Sequence, residues 1–169
     1  MAATYEIITT SVLTSTTATV TFSSIPATYT DLVLIMNPIA NTAANSYPYL
    51  RFNSDSGTNY SRTFLRGNGT TTSGDFGQNE NVGYLIGGNV IQTSNIFNAI
   101  VHFNNYSNTT THKNWLASTN SATGTNNGVE LTGGTWRSTS AINNIVLYCG
   151  SNSFVSGSTF SLYGIKAGS

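Results

Sequence analysis

Charge is what this sequence lacks most. Asp, Glu, Lys and Arg make up 7% of its 169 residues, six of each sign, for a formal net charge of zero; about a quarter is usual for a globular domain. No run of either sign builds a patch. Nucleic-acid binding, which draws most of its non-specific affinity from clustered Lys and Arg, is therefore disfavoured, and membrane-surface binding loses support for the same reason. Cysteine occurs once, at Cys149, which excludes an internal disulfide and on a strand reads as a small core residue. No stretch approaches the roughly 20 apolar residues that cross a bilayer. The start Met1-Ala-Ala-Thr-Tyr-Glu6 has neither a basic beginning nor an apolar signal segment, so the expectation is synthesis in a cytoplasm without export by the general secretory route.

What is there is small, neutral and polar. Thr, Ser, Asn and Gly number 27, 21, 21 and 16, half of the chain. A hydrophobic fraction of 38% with 11% aromatics nevertheless argues against disorder, which goes with low hydrophobicity and high net charge. The length fits one domain, residues 1–169, which removes roughly 70% of its unfolded surface from water. A neutral, Asn- and Thr-rich surface is the composition of an assembly protein.

Period-two segments recur between Gly, Asn, Ser and Pro clusters, and no window holds a 3.6-residue period, so the class is all-β. Val20 and Phe22 alternate with Thr before Pro26 closes the strand by removing a ladder donor. Asp31 to Met36 is apolar on both parities, which predicts a strand covered on both faces. Leu50 and Phe52 share one face after Pro48; Tyr60 to Leu65 is a shorter strand. Residues 66–82, with Gly67, Gly69, Gly74 and Gly77 among Thr, Asn and Asp, read as a long exposed loop. Phe97, Ala99, Val101 and Phe103 oppose Asn98, Ile100, His102 and Asn104; Trp115 and Leu116 fall on opposite faces; residues 118–127 read as a polar loop. Strands near Leu131, Trp136, Leu147 and Phe160 complete about eight to ten, which predicts one antiparallel β-sandwich, with eight strands in two sheets giving a jelly roll. Edges are poorly protected, since Lys113 and Lys166 are the only lysines and Lys is a usual edge guard. Association of copies would cover those edges.

Candidate chemistry is sparse. His102 and His112, the only histidines, belong to no metal-ligand or triad spacing and read as surface residues. Asp75 and Glu80 share the glycine-rich stretch, but two acids there fix no distance for a glycosidase pair. Asn53, Asp55, Gly57 and Asn59 faintly echo a calcium loop, yet Gly57 is one place early and Phe64 stands where the final acid belongs, so a turn is expected. Gly67-Asn-Gly69 and Gly87-Gly88 lack the Lys-Ser/Thr of a phosphate cradle. Sequons at Asn59, Asn68, Asn105 and Asn108 follow from composition. The expectation is no enzyme, no metal and no cofactor. Trp115, Trp136, Tyr47, Tyr49, Tyr60 and Tyr84 could stack on sugar rings if exposed together, against a core or interface role. Phe76, between Asp75 and Gln78 in the polar stretch, is the candidate partner-contact site, because an apolar side chain at such a place meets a partner more readily than a core.

Three stretches carry a resemblance: Phe22-Ser-Ser-Ile-Pro-Ala-Thr-Tyr-Thr-Asp-Leu-Val-Leu34, Leu50-Arg-Phe-Asn-Ser-Asp55 with Asn59-Tyr-Ser61, and Ser158-Thr-Phe-Ser-Leu-Tyr-Gly-Ile-Lys166, with Trp136-Arg-Ser-Thr-Ser-Ala-Ile142 before the penultimate strand. In this order they resemble a family of small virion structural proteins of tailed bacteriophages, especially those infecting cyanobacteria. The resemblance implies a jelly-roll-like domain on the outer surface of the particle, made in the host cytoplasm. It acts either as a capsid decoration (cement) protein bound to the major capsid protein or other virion proteins, or as a tail or fibre knob that binds a receptor or glycan. Decoration is the first expectation, because the sequence carries no coiled-coil or fibrous shaft to project a tip. A homo-oligomer is expected, a trimer first, since decoration proteins commonly occupy three-fold positions on an icosahedral lattice. Physically, Pro26 ends a strand, Asp31 begins one, and Gly164 permits bending or close packing.

Overall fold

The computed structural model describes residues 4–43, 46–87, 91–93, 96–123 and 126–166. Its elements are β1 (Tyr5–Val12), β2 (Thr19–Phe22), β3 (Asp31–Asn37), β4 (Pro48–Phe52), β5 (Tyr60–Gly67), β6 (Thr72–Glu80), β7 (Gly83–Tyr84), β8 (Ile96–Asn104), β9 (Lys113–Thr123), β10 (Asn126–Trp136), β11 (Ile145–Cys149) and β12 (Thr159–Ile165). All pairings are antiparallel. One sheet runs β1-β12-β3-β8-β9-β10-β5-β6 and the other β2-β11-β4-β7, an antiparallel β-sandwich.

The pairing is nested. β1 meets β12, β2 meets β11, β3 meets β8 and β4 meets β7, so the chain folds back as one long hairpin whose strands are shared between two sheets. That is the jelly-roll arrangement. Two polar hairpins are added to it: β9–β10 extends the larger sheet from β8, and β5–β6 extends it again from β10.

Three local expectations change. Residues 66–82 are not a loop, because β5 continues to Gly67 and β6 forms the sheet edge. Nor are residues 118–127 a loop, since β9 and β10 pair across almost all of that stretch. The inward positions carry Arg66, Ser73, Asp75 and Gly77 in the first case and Thr119 and Ser121 in the second, with no aliphatics, so hydrophobic alternation is silent although the main chains pair. β3 is covered on both faces only in part: Val33 is buried on the outer side but Ile35 is exposed.

The core lies between the sheets, lined by the parity sets read above: Leu32, Leu34 and Met36 of β3, Phe97, Ala99, Val101 and Phe103 of β8, and Leu147 and Cys149 of β11 are buried. Burying each large apolar side chain contributes roughly 1.5–3 kcal/mol. At its centre Phe52 meets Phe103, Trp115 and Trp136 at 5.5, 5.7 and 5.5 Å between ring centroids, within the range of favourable aromatic pairs. Glycines make this packing possible: a Cβ at Gly134 would lie 1.9 Å from the Trp115 ring, and one at Gly164 would lie 2.3 Å from Tyr29. Gly164 thus serves close packing of the last strand.

The polar ends of the core aromatics are all used. Trp115 Nε1 donates to the Tyr84 carbonyl at 3.0 Å, and the Tyr60 hydroxyl donates to the Asp55 carbonyl at 3.2 Å while accepting from the Phe52 amide at 3.0 Å. Trp136 Nε1 donates to Asp55 Oδ2 at 2.6 Å.

Candidate interaction surfaces

Asp75, Phe76 and Gln78 lie on the edge strand β6, all exposed. Asp75 leans toward Arg62, Oδ2 to Nη1 3.8 Å, and the Arg62 guanidinium sits 4.3 Å over the Tyr84 ring. Phe76 stands opposite Thr63 of β5 and is 68% exposed. Glu80 begins the register opposite Tyr60. The two acids therefore belong to one strand edge and converge on no common site. Among the described residues no group of three or more His, Cys, Asp or Glu is placed to hold a metal ion.

The remaining candidates are structural. Asp55 Oδ1 accepts from the Gly57 amide at 2.8 Å and Oδ2 from Asn59 Nδ2 at 2.9 Å, which together with Trp136 makes the would-be calcium loop a turn. Burial raises the Asp55 pKa, but the hydrogen bonds from Trp136, Asn59 and Gly57 outweigh it and hold the carboxyl below its ordinary value. Asn68 and Asn108 make twin turns: each Oδ1 accepts from the amides and hydroxyls of the residues two and three places on, at 2.7–3.1 Å. Cys149 is buried, and burial pushes its thiol up to about 11. His102 faces outward on β8 and His112 is exposed just before β9. Gly88 lies outside the described residues. Lys113 guards no edge: it points inward from β9, and its Nζ donates to the carbonyls of Thr111 and Thr139 at 2.6 and 3.3 Å.

The aromatic candidates divide. Trp115, Trp136 and Tyr60 are core residues. Tyr47, just before β4, is half-buried and packs against the core, while Tyr49 and Tyr84 are half-buried on the outer face of the smaller sheet, where Tyr148, Tyr49 and Tyr84 stand in register across β11, β4 and β7. Tyr49 meets Tyr84 edge-on at 4.7 Å and Tyr47 at 6.5 Å, and Arg51 lies 5.2 Å over Tyr148. Burial, then Tyr84 and Tyr47, pushes the Tyr49 phenol up to about 12.

The larger sheet has an apolar outer face. Register brings Ile35, Ile100, Ser118, Leu131 and Leu65 into one row across β3, β8, β9, β10 and β5, and its four aliphatics are 40–65% exposed. On one side runs Val33, His102, Leu116, Gly133 and Thr63, continued by Phe76; on the other, Asn98, Asn120, Val129 and Gly67. No Asp, Glu, Lys or Arg stands in these rows. Asn37 donates to Asn98, and Asn98 donates to Asn120 at 3.0 Å, an amide ladder along the margin. Between the rows lies an open groove of about 940 Å³.

No family model and no curated protein matches the chain. Among solved structures, exo-inulinase from Aspergillus awamori is similar at 13% identity and a TM-score of 0.25, over 96% of this chain and 29% of that one. The chain thus spans less than a third of that enzyme's length, and the likeness carries no argument.

Chemically, the arrangement offers adhesion: an apolar sheet face, a tyrosine row on the opposite sheet and the edge strand β6, whose outer side has no strand partner among the described residues. The apolar face is not legible strand by strand, because Ile100, Leu116 and Leu65 each stand between polar residues or glycine on the outward parity of their own strand, and only the register gathers them into rows. Its signal in the sequence was an aliphatic residue on the otherwise polar parity of neighbouring strands, as at Ile100 and Leu116.

Proposed function

We propose that this chain is a virion structural protein of a tailed bacteriophage, a decoration or cement protein that binds the outer surface of the assembled head and stabilises it as a homo-oligomer. The observation that carries the reading is the charge-free apolar face on a jelly roll, since exposed apolar patches beyond a few hundred Å² mark interaction surfaces. The sequence resemblance supports the same reading. The partner is the major capsid protein or another virion protein, and the contact runs through the β6 edge. There, among the described residues, the outer main-chain groups have no strand partner, and Phe76 and Gln78 are exposed, features that suit strand addition. No catalysis, cofactor, nucleic acid or membrane enters the proposal. Labelling and imaging on intact particles tests it: many evenly spaced copies on the head are expected, and absence from the virion sinks the reading.

The tyrosine row favours a second reading, a tail or fibre knob that binds a receptor glycan, because aromatic faces stack on sugar rings. A few copies confined to the tail, together with binding to host surface polysaccharide that Tyr49→Ala abolishes, would establish it in place of the first.

A further inference from the structure

We infer that the apolar outer face of the larger sheet is where two copies of this chain meet, with a two-fold symmetry axis passing through it. This deepens the oligomer part of the proposed function by naming its contact. Three observations favour a second copy as the occupant.

The first is charge. Residues nearest a two-fold or three-fold axis meet their own symmetry mates, so a charge placed there repels itself, as like charges close together do. The three rows from β3 to β5 hold no Asp, Glu, Lys or Arg, and the amide ladder at their margin is neutral. A partner of different sequence would set no such requirement.

The second is relief. Leu65 and Val129 stand proud at 65% and 64% exposure, while Ser118 and Gly133 leave low positions beside them. Large and small side chains on one face interdigitate with the same face of another copy, as the inner faces of packed sheets do, and this fills the open groove of about 940 Å³.

The third is area. The positions in these three rows, with strands about 4.8 Å apart and rows about 6.7 Å apart, give a footprint of roughly 500 Å². Two copies then cover about 1,000 Å², the size a specific interface has to reach. A glycan or a short peptide would leave much of this face wet.

Light scattering on the purified full chain at tens of micromolar tests the inference. The wild type is expected at twice 17.9 kDa, because the same face on both copies is a two-fold contact. The double variant Ile100→Asp/Leu131→Asp is expected at the single-chain mass with an unchanged β-type circular dichroism spectrum, and a trimeric wild type overturns this face. Leu65→Lys, at a more exposed position, is expected to dissociate the oligomer as well if the double variant fails to fold. Thr21→Asp, on the smaller sheet, keeps the wild-type mass. A monomeric wild type overturns both the oligomer and this face. An oligomeric wild type whose face variants fold and keep its mass overturns the face alone and leaves the oligomer standing. Binding of another virion protein to a monomer through the same residues likewise overturns the inference and hands the face to that partner.

Discussion

Asp55 shows how a residue that could have been a ligand becomes a strut. Its carboxylate takes hydrogen bonds from Trp136, Asn59 and Gly57, tying the β4–β5 turn to the end of β10. Its pKa is lowered in the fold, so the folded chain binds fewer protons there than the unfolded one. The stability it contributes is complete above the unfolded value of about 3.9 and is lost as pH falls through the lower folded value. Urea titrations between pH 7 and pH 2 are expected to show Asp55→Asn less stable at neutral pH by about 1–2 kcal/mol, for lost bonds to a charged acceptor, with a shallower acid limb. Some acid dependence persists, because the hydrogen bond from Lys166 likewise lowers the Glu6 pKa. A wild type and variant with parallel pH profiles would show that the carboxylate's charge is idle. Phe103 gives the apolar counterpart: fully buried and edge-on to Phe52 at 5.5 Å, it is expected to cost about 3–5 kcal/mol when cut to Ala, read as a drop in the urea midpoint.

At the scale of elements, the two added hairpins separate what could be read from what could not. β8 was legible because Phe97, Ala99, Val101 and Phe103 alternate with polar residues over a real core. β10 was legible only near Leu131 and Trp136, because its inward positions Gly128, Glu130, Thr132 and Gly134 carry no apolar run. β6 was illegible altogether: it is an edge strand whose side chains are mostly exposed, so nothing selects their polarity. Asp75, Phe76 and Gln78 are exposed on a strand and not in a loop, because their place depends on pairing with β5, which is a non-local fact. Turn chemistry holds the β5–β6 hairpin in register, and the same chemistry recurs between β8 and β9. Asn108→Ala removes an acceptor that serves four donors and is expected to lower stability by about 1–2 kcal/mol, measured by thermal or urea unfolding. An unchanged midpoint would mean that water replaces the amide at no cost. Asn68→Ala tests the twin turn in the same way.

For the whole molecule, scarcity of charge sets the response to salt. Arg137 Nη2 already donates to the Thr58 carbonyl and to Asn79 Oδ1 at 2.5 and 2.9 Å, and Arg62 is packed over Tyr84. Under the proposed function, contact with a shell would rest on apolar area and neutral hydrogen bonds, as in interface cores depleted of charge. Retention on particles is expected to change little up to about 1 M NaCl, where the screening length is near 3 Å. Release by moderate salt with the fold intact would put the docking on Arg62, Arg66 and Arg137. The nested pairing of strands has a consequence in time. Tyr5 faces Ile165, and Glu6 bonds Lys166 across 160 residues, so the outermost pair closes only after the strands between have ordered. Such non-local closure places folding in the milliseconds-to-seconds range rather than microseconds. Closing from the inside outward, the chain commits late, so during synthesis its first strand waits for its last, and a growing chain spends that interval as a half-built sandwich.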